Sequence, residues 1–563
     1  MHKECILSNV ITPVSLWRDF DASLDVMPVT LGEKVEDGVK YEYLNFSGRD
    51  TGMGRVTVYG VLATSVSEPS NSSIIVFFDS KDPIDENLLA FFVKHGYTAL
   101  AVDYAGRRDG VERYTRYPQN VVYANLSSCG RYKDYVDDTA FKTSWYEWVG
   151  VGIYARKFLI ERLNILNIGL VGIRDGGEVV WKLACAAQFS CAVTVAACGW
   201  KAYKGHEKFV GKRPEFDDER YRFLAGVESQ SYAPHVKCPI LMLCTTDDPN
   251  FDYDRAYDTF SRINPKYARA SIITYSLRSG ARIESSSTRD MFLFLDSYVK
   301  ERYVFMPKPA DVEICVDEKN NLIARVKCDD SGIIEGNGIF FAEDSMNSAH
   351  RDWTAATFKS KISEYESEYL LNVYEKTKRI FVLCYVVYSN GFTVWSRLVS
   401  KKLEGKFRNS RAKGKIMYAN HFGYDCFSVA NCDKYAVGGV FLEDNFFMPK
   451  LVEENGIKGI YSECGLTTKR LICPQYAPDK DSILKFDVCP ERDDTIELVL
   501  TNVVNDETYS NKIFVIGGVW QSVIQKAKVF KNKDGISLNS FTECVSLTIT
   551  GGGKYAVNNL IWL

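Results

Sequence analysis

Residues 171 to 184, VGIRDGGEVVWKLA, form a pattern that can present a reactive side chain. An apolar strand pattern leads into a glycine-rich turn and then into a helical pattern. In the motif G-x-Nu-x-G, such a turn holds a nucleophile at its third position, because small flanking residues let the backbone turn tightly. In this chain the third position is Arg174. Arginine stays protonated at neutral pH, so it is neither a nucleophile nor a general base.

The elements around this turn alternate between strand and helix over residues 1 to about 305. Strand patterns such as SSIIVFFDS, YTALAVDYAGR, NIGLVGI and CPILMLCTTDDP are separated by helical patterns such as IDENLLAFFVKHG and SWYEWVGVGIYARKFLIERL. This alternation predicts a doubly wound, mostly parallel sheet with helices on both faces. The carboxyl ends of its strands would then present the turn at Arg174.

The turn, its flanks and its place in the chain resemble the α/β-hydrolase fold, most closely its acetyl xylan esterase and dienelactone hydrolase branch. The segments WRDFD, YTALAVDYAG and SWYEWVGVGIYARKFL add to the resemblance, which covers roughly residues 15 to 302. It implies a catalytic acid after PILMLCTTDDP, which points to Asp248, with Asp247 as the second choice. It implies a catalytic histidine within SLRSGARIESSSTRD, where Arg282 is the residue that aligns best.

No histidine occupies that window. The six histidines of the chain lie elsewhere, at His2, His95, His206, His235, His350 and His421. Two of the three triad positions therefore hold arginine, and the loss of either residue removes the mechanism. The sequence predicts a catalytically degenerate member of the superfamily.

Three arrangements could restore activity. Asp175 could attack as a carboxylate nucleophile, although it stands one position past the usual one. The segment GRDTG at 48 to 52 matches G-x-D-x-G, but it joins two strands and is interpreted as a plain turn. His206 follows a strand edge and could reach the cleft, but no serine is paired with it, whereas His235 is interpreted as structural. An active carboxylic-ester hydrolase with displaced residues stays the alternative function.

A binding site is the other use of this edge. Arg174, Arg282, Asp175 and Asp248 would converge at the carboxyl end of the sheet, where open α/β folds bind ligands. Such a site could hold a small anionic ligand. The favoured interpretation is an ion pair that plugs the cleft, in which Arg174 meets at least one of three acids, Asp248 first and otherwise Asp175 or Asp79.

The chain changes character after Pro307, where short alternating strands replace the helical periodicity. Residues 306–405 resemble an Ig-like or fibronectin-like β-sandwich, and the basic stretch 404–415 is interpreted as a linker. Residues 412–563 resemble the galactose-binding-like jelly rolls of carbohydrate-binding modules. We expect five of their residues in its core: Trp520, Phe530, Leu538, Phe541 and Trp562.

Composition narrows the possible partners. The 563 residues carry 69 Lys+Arg against 72 Asp+Glu, a net charge of −3. This balance does not favour binding to nucleic acid or to an anionic membrane.

No run of residues approaches the roughly 18 consecutive apolar residues that a membrane span needs. The N-terminus does not read as a signal peptide, and the 16 cysteines are scattered, so we expect buried thiols in a cytoplasmic protein without metal or cofactor.

The sequence thus predicts an esterase-like α/β-hydrolase domain followed by two β domains. The favoured function is binding or scaffolding, with carbohydrate as one ligand. A purely structural or partner-binding protein is a further alternative. The oligomeric state is left open.

Overall fold

The computed structural model describes residues 9–211, 214–422 and 426–563, so His2 lies outside the described residues. These residues divide into two compact units. The first comprises the described residues up to Cys244, together with Asn250–Thr274 and Arg289–Met306. The second comprises Thr245–Pro249, Tyr275–Thr288 and Pro307–Leu563. Two short pieces of the hydrolase-like sequence therefore pack with the β-rich remainder of the chain.

One nine-stranded sheet organises the hydrolase-like half of the described chain, in the order β1-β2-β3-β5-β4-β6-β7-β8-β9. The first three strands and β5 pair antiparallel, whereas β5, β4, β6, β7 and β8 pair parallel. The strands are β1 (Val29–Glu36), β2 (Val39–Asp50), β3 (Arg55–Ser65), β4 (Ser72–Phe77), β5 (Thr98–Val102), β6 (Asn167–Ile173), β7 (Cys191–Val195), β8 (Ile240–Thr245) and β9 (Ile272–Ser276).

The predicted doubly wound sheet is confirmed, and its strand order contains a reversal. The chain runs from β4 to β5 on one side and then crosses to β6 on the other side of β4. The carboxyl ends of β4 and β6 therefore flank a topological switch point, which is where open α/β sheets form a ligand crevice. The edge strand β1 was not predicted from the sequence.

Helices cover the sheet, and the apolar residues of their sequences form their buried faces. Trp145, Trp148 and Phe158 of α3 are almost fully buried. The helix starts where the Thr143 side chain accepts a hydrogen bond from the Tyr146 N–H, and it ends at Asn164 in a left-handed conformation. The α-helices of the described residues are α1 (Pro13–Arg18), α2 (Glu86–Lys94), α3 (Ser144–Leu163), α4 (Asp175–Ala186), α5 (Asp218–Gly226), α6 (Ser229–Tyr232), α7 (Ala256–Phe260), α8 (Pro265–Ala268) and α9 (Ser285–Tyr298).

The chain after Pro307 is built from antiparallel β-sheets in its described part. Up to Lys402, one sheet has the order β10-β11-β15-β14, and another has the order β13-β12-β16-β17 with β18 also paired to β16. Their strands are β10 (Asp311–Val316), β11 (Leu322–Lys327), β12 (Ile334–Glu343), β13 (Thr354–Ala355), β14 (Thr357–Lys361), β15 (Glu366–Leu370), β16 (Arg379–Tyr388), β17 (Thr393–Trp395) and β18 (Val399–Lys402).

The C-terminal part forms a second pair of larger sheets and one short hairpin. Their strand orders are β23-β24-β31-β26-β29, with β19 also paired to β31, and β20-β25-β30-β27-β28; β21 pairs with β22. The strands are β19 (Ile416–Tyr418), β20 (Ser428–Val429), β21 (Ala436–Val437), β22 (Phe441–Leu442), β23 (Lys450–Glu454), β24 (Ile457–Tyr461), β25 (Leu466–Thr468), β26 (Leu484–Pro490), β27 (Asp494–Asn502), β28 (Thr508–Val515), β29 (Gln521–Gln525), β30 (Cys544–Thr550) and β31 (Tyr555–Trp562).

The predicted core of this C-terminal part is confirmed for four of its five residues. Phe530, Leu538, Phe541 and Trp562 are each at most 4% exposed, and Phe541 contacts the rings of both Phe530 and Trp562. Trp520 is only partly buried, because it lies in the connection before β29 and its Nε1 donates to the Glu454 carbonyl. The alternation of polar and apolar residues that predicted the core therefore includes Trp520, although this residue is not part of the core.

Two further sequence-based expectations concern the cysteines and membrane-spanning segments. The 15 cysteines among the described residues are free thiols, and all but Cys315 are buried. In the part of the chain that the structure describes, none of the helices combines the length and the apolar content that a bilayer crossing requires.

Candidate functional site: the turn at Arg174

The strand–turn–helix geometry predicted around Arg174 is present. Strand β6 ends at Ile173, and α4 begins at Asp175. Between them Arg174 has φ 50° and ψ −112°, a strained conformation for a residue with a side chain. Its N–H donates to the Val195 carbonyl at 2.8 Å, and its own carbonyl accepts from the Glu178 N–H at 3.0 Å. The backbone hydrogen bonds thus hold the turn from both sides.

Glycine is required on both sides of the turn because the backbone segments nearly touch. A Cβ added to Gly172 would lie 2.3 Å from the Gly176 carbonyl oxygen. A Cβ added to Gly176 would lie 2.2 Å from the Phe77 carbonyl oxygen, at the end of β4. Together with the sheet, this turn has the features of an α/β-hydrolase fold, in which a sharp strand-to-helix turn exposes the third residue at the carboxyl edge.

The side chain of Arg174 is 34% exposed and has an acidic neighbour. Its Nη1 lies 4.0 Å from Oδ2 of Asp79, whose side chain is 14% exposed. Of the three acids expected beside Arg174, Asp79 is therefore one that lies at ion-pair distance. Asp79 follows β4, so the pair occupies the switch point between β4 and β6.

Asp79 lies in the loop that follows β4. In α/β-hydrolases, one oxyanion donor is the N–H after the nucleophile, and another comes from the loop between a central strand and the first crossing helix. Here that loop joins β4 to α2. Burial raises the pKa of Asp79, and nearby Asp175 and Asp82 raise it further, while Arg174 and Lys133 oppose the shift. A carboxylate at this place repels a developing oxyanion.

Asp175 is held by two lysines from distant parts of the chain. Its Oδ2 accepts from Ser80 Oγ at 2.5 Å and lies 2.5 Å from Lys133 Nζ. Its Oδ1 pairs with Lys201 Nζ. Burial alone would raise the pKa of Asp175, but Lys201 and Lys133 outweigh it and hold the pKa well below its ordinary value. Both carboxylate oxygens are therefore engaged, which leaves this side chain poorly disposed to attack a substrate.

A buried layer of charged groups continues beneath α4. Lys182 Nζ lies 4.5 Å from the centre of the Trp145 ring, and Lys201 Nζ lies 4.8 Å from it. Burial lowers the pKa of Lys182 to about 8, although Glu178 and Glu228 oppose the shift. Burial and the charge of Glu178 raise the pKa of Glu228 to about 7.

Sequence reasoning missed this layer. The one local signal was the spacing of Glu178 and Lys182, four residues apart within the otherwise apolar helix EVVWKLACAA. A lysine in the middle of a buried helix needs partners, and these come from Ser229, whose Oγ lies 3.3 Å from Lys182 Nζ, and from the Glu178 carbonyl at 3.0 Å.

The two predicted positions for the triad acid belong to the second compact unit. Asp247 and Asp248 follow β8, and Asp248 is 1% exposed. Asp247 forms an ion pair with Lys469, a residue of the C-terminal β region. Burial raises the pKa of Asp247, and Lys469 opposes that shift.

Arg282, at the predicted histidine position, is also engaged within the second unit. Its Nη2 pairs with Asp433 Oδ1. The next residue, Ile283, forms a parallel bridge with Phe441 and donates its N–H to the Val440 carbonyl at 2.9 Å. The segment that would carry a catalytic histidine thus packs as part of the β region.

His206, the alternative base, is exposed on a loop of the first unit. Its carbonyl accepts from Arg255 Nη2 at 3.0 Å, and its N–H donates to the Tyr203 carbonyl. Its ring makes no hydrogen bond or ion pair with the residues that the structure describes. Over residues 9–211, 214–422 and 426–563, no three His, Cys, Asp or Glu side chains form a group that could hold a metal ion.

Comparison with known proteins places esterases among the structures that resemble this chain. The sequence matches no protein-family model and no curated protein. An acetyl xylan esterase from Paenibacillus sp. R4 is 15% identical with TM-score 0.39, covering 51% of this chain and 92% of its own. Acetyl xylan esterase 1 from Thermoanaerobacterium sp. is 14% identical with TM-score 0.37, covering 51% and 93%. A cold-adapted esterase from an Arctic intertidal metagenomic library is 14% identical with TM-score 0.31, covering 48% and 97%. At these identities and scores, the similarities assign no activity or substrate to the chain.

The close approach at the turn gives a first prediction. We expect Gly176→Ala to destabilise the first unit by about 1–3 kcal/mol, because its Cβ would clash with a backbone carbonyl that cannot rotate away. Gly32→Ala is the matched control, since a Cβ there meets nothing within 4 Å. Hydrogen exchange of the α4 amides measures the difference. Equal protection of α4 in the two variants would contradict the prediction.

Asp175 and Asp79 have pKa shifts of opposite direction, so we expect opposite effects on stability when each is replaced by asparagine. The pKa of Asp175 is lowered on folding, so its stabilisation is present above the unfolded pKa of about 3.9 and is lost as the pH falls below that value. We expect Asp175→Asn to cost roughly 2–3 kcal/mol at pH 7, less than a fully buried pair because both lysines are partly exposed.

The raised pKa of Asp79 means that ionising this group costs more in the folded chain than in the unfolded chain. We therefore expect Asp79→Asn to stabilise the fold at pH 7, and this gain to shrink as the pH falls through the raised pKa and to vanish near the unfolded pKa of about 3.9. Denaturation between pH 3 and pH 8, with α4 followed by hydrogen exchange, measures both variants. A loss of stability at pH 7 in both variants would refute the assignment.

Proposed function

We propose that the first unit is a catalytically degenerate esterase-type α/β-hydrolase with a binding or scaffolding role. The observation that carries the proposal is the pair at the switch point, Arg174 in the nucleophile position and Asp79 in the loop that should stabilise an oxyanion. Ester hydrolysis needs a nucleophile activated by a base and donors aimed at the developing negative charge. At this crevice the first is replaced by a cation, and the second faces a carboxylate.

The other triad positions support the same proposal. The window from Leu277 to Asp290 contains no histidine, and its Arg282 is used in an ion pair with Asp433. Asp247 is likewise used by Lys469. In a working triad the acid orients a histidine, and the histidine stays free to move a proton. Side chains committed to structural ion pairs cannot perform those steps.

The role proposed for the crevice is the binding of a small anion in exchange with Asp79. The 34% exposure of the Arg174 side chain supports this role, because a ligand in solution can reach it. A planar guanidinium can instead bind a carboxylate or phosphate with two parallel hydrogen bonds. Without a ligand, the Arg174–Asp79 pair fills the crevice.

Carbohydrate binding is proposed for the C-terminal β region. Phe514 on the edge strand β28 is 68% exposed, and an exposed aromatic ring is suited to stacking on a sugar. A glycan array with the full chain tests this, with Phe514→Ala as the variant and Phe358→Ala, also exposed on a strand, as the control. Signals equal in both variants would remove Phe514 from the proposal.

We also propose that the chain is organised as residues 1–305, 306–405 and 412–563, with Thr245–Pro249 and Tyr275–Thr288 as the parts of the first range that pack with the β-rich remainder. The separate sheet pairs before Lys402 and after Ile416, and a hydrophobic core drawn only from residues 417–562, support the second seam. We expect limited proteolysis to cut first near 305 or 410, identified by mass spectrometry of the fragments. First cleavage within 160–200 would contradict this organisation.

The degenerate site predicts the absence of esterase activity. We expect the unmodified chain to hydrolyse p-nitrophenyl acetate at the uncatalysed rate, and Arg174→Ser alone to stay inactive because the window 277–290 contains no histidine to act as its base. Arg174→Ser combined with Arg282→His should give weak turnover at best. Arg174→Ala is the control for background hydrolysis. Robust turnover by the unmodified chain that Arg174→Ala abolishes would overturn the proposal.

A further inference from the structure

A separate cavity of about 640 Å³ lies within the first unit, away from the turn at Arg174. It is formed by α1, the C-terminal end of α4 and the segments around Lys237 and Lys266. Helix α4 has 12 residues, so at about 1.5 Å per residue its two ends lie roughly 16 Å apart. This cavity is therefore a different place from the crevice, and its role is independent of the function proposed for the turn.

The described residues that line the cavity carry positive charge. The lining includes Arg18, His235, Lys237 and Lys266 and no carboxylate. None of the three permanent cations forms an ion pair with any residue of the described ranges. The ends of α1 and α4 contribute at most about half a negative charge each, so the three cations still leave a surplus of roughly two positive charges. In a chain with net charge −3, this concentration favours an anionic partner.

The inner wall is apolar and fixed. Trp17, Cys185 and Val236 are each at most 8% exposed. Trp17 stacks on Tyr146 with ring centres 5.1 Å apart, and its Nε1 donates to the Tyr232 hydroxyl at 3.3 Å. The Lys237 N–H donates to the Ala184 carbonyl at 2.8 Å, which joins the basic rim to α4. The cavity also has the size of a ligand site, about 300–1,000 Å³.

We propose that this cavity binds an organic anion, a molecule with an aromatic or apolar body and a phosphate or carboxylate group. The body would lie against Trp17 and Val236, and the anionic group would face Lys237, Lys266 and Arg18. A smaller neighbouring cavity of about 260 Å³ shares Lys237 and Tyr267 but includes Glu301, so the anionic group belongs in the larger one. The combination of an apolar wall with a cationic rim selects for both parts of the ligand.

The test is calorimetric titration of the full chain at low ionic strength with 1-naphthyl phosphate and 1-naphthoate. The reference probes are neutral 1-naphthol and inorganic phosphate. We expect both aromatic anions to bind, each reference probe to bind at least about tenfold more weakly, and affinity to fall as salt is added. The phosphate and carboxylate probes show which anionic group is preferred.

Lysine variants test whether the aromatic anions bind in this cavity. We expect K237Q/K266Q to weaken 1-naphthyl phosphate roughly tenfold, as the loss of two exposed cations implies. K94Q/K319Q removes two exposed lysines elsewhere and should leave the affinity unchanged. If the first variant does not fold, Arg18→Gln makes the same test at the end of α1. The proposal is overturned if the aromatic anions do not bind, if 1-naphthol or phosphate binds equally well, or if the cavity variants bind like the control.

Discussion

The close approach of β4, β6 and α4 at the Arg174 turn is the constraint on which the rest of the site depends. A Cβ on Gly176 would lie only 2.2 Å from the Phe77 carbonyl oxygen, and a Cβ on Gly172 would lie 2.3 Å from the Gly176 carbonyl oxygen. This spacing brings Asp79, two residues past the end of β4, and Arg174, directly after β6, to the same crevice. The side chains of Arg174 and Asp79 have opposite charge and lie 4.0 Å apart there.

Burial around this turn decides the charge states of its neighbours. Asp79 and Asp175 are close enough for each to raise the cost of ionising the other, and the lysines are divided unequally between them. Asp175 forms ion pairs with Lys133 and Lys201, which favour its ionised form. Asp79 has the looser contact with Arg174, which does not offset its burial, so its pKa rises. The two neighbouring carboxylates of this crevice therefore have pKa shifts of opposite direction.

The fold was predictable where the signal is local. Alternating strand and helix patterns and the spacing of Gly172 and Gly176 were enough to predict the sheet and the turn, because both depend on neighbouring residues. The partners of Asp175 were not predictable, since Lys133 and Lys201 come from loops far apart in sequence. The ion pairs of Arg282 and Asp247 were missed for the same reason, as they depend on Asp433 and Lys469 in the β region.

The strained turn holds an arginine at the position where active hydrolases of this fold present a nucleophile. A residue with a side chain at φ 50° and ψ −112° costs of order 1–3 kcal/mol, a cost that catalysis justifies in an active hydrolase. Here Arg174 cannot be the nucleophile, so the compensation must be structural. The hydrogen bonds of Arg174 to Val195 and Glu178 and the close packing of Gly176 on β4 supply it. Because α4 is anchored through these contacts, relaxing the turn would move the helix, and selection for the fold alone is sufficient to keep the geometry.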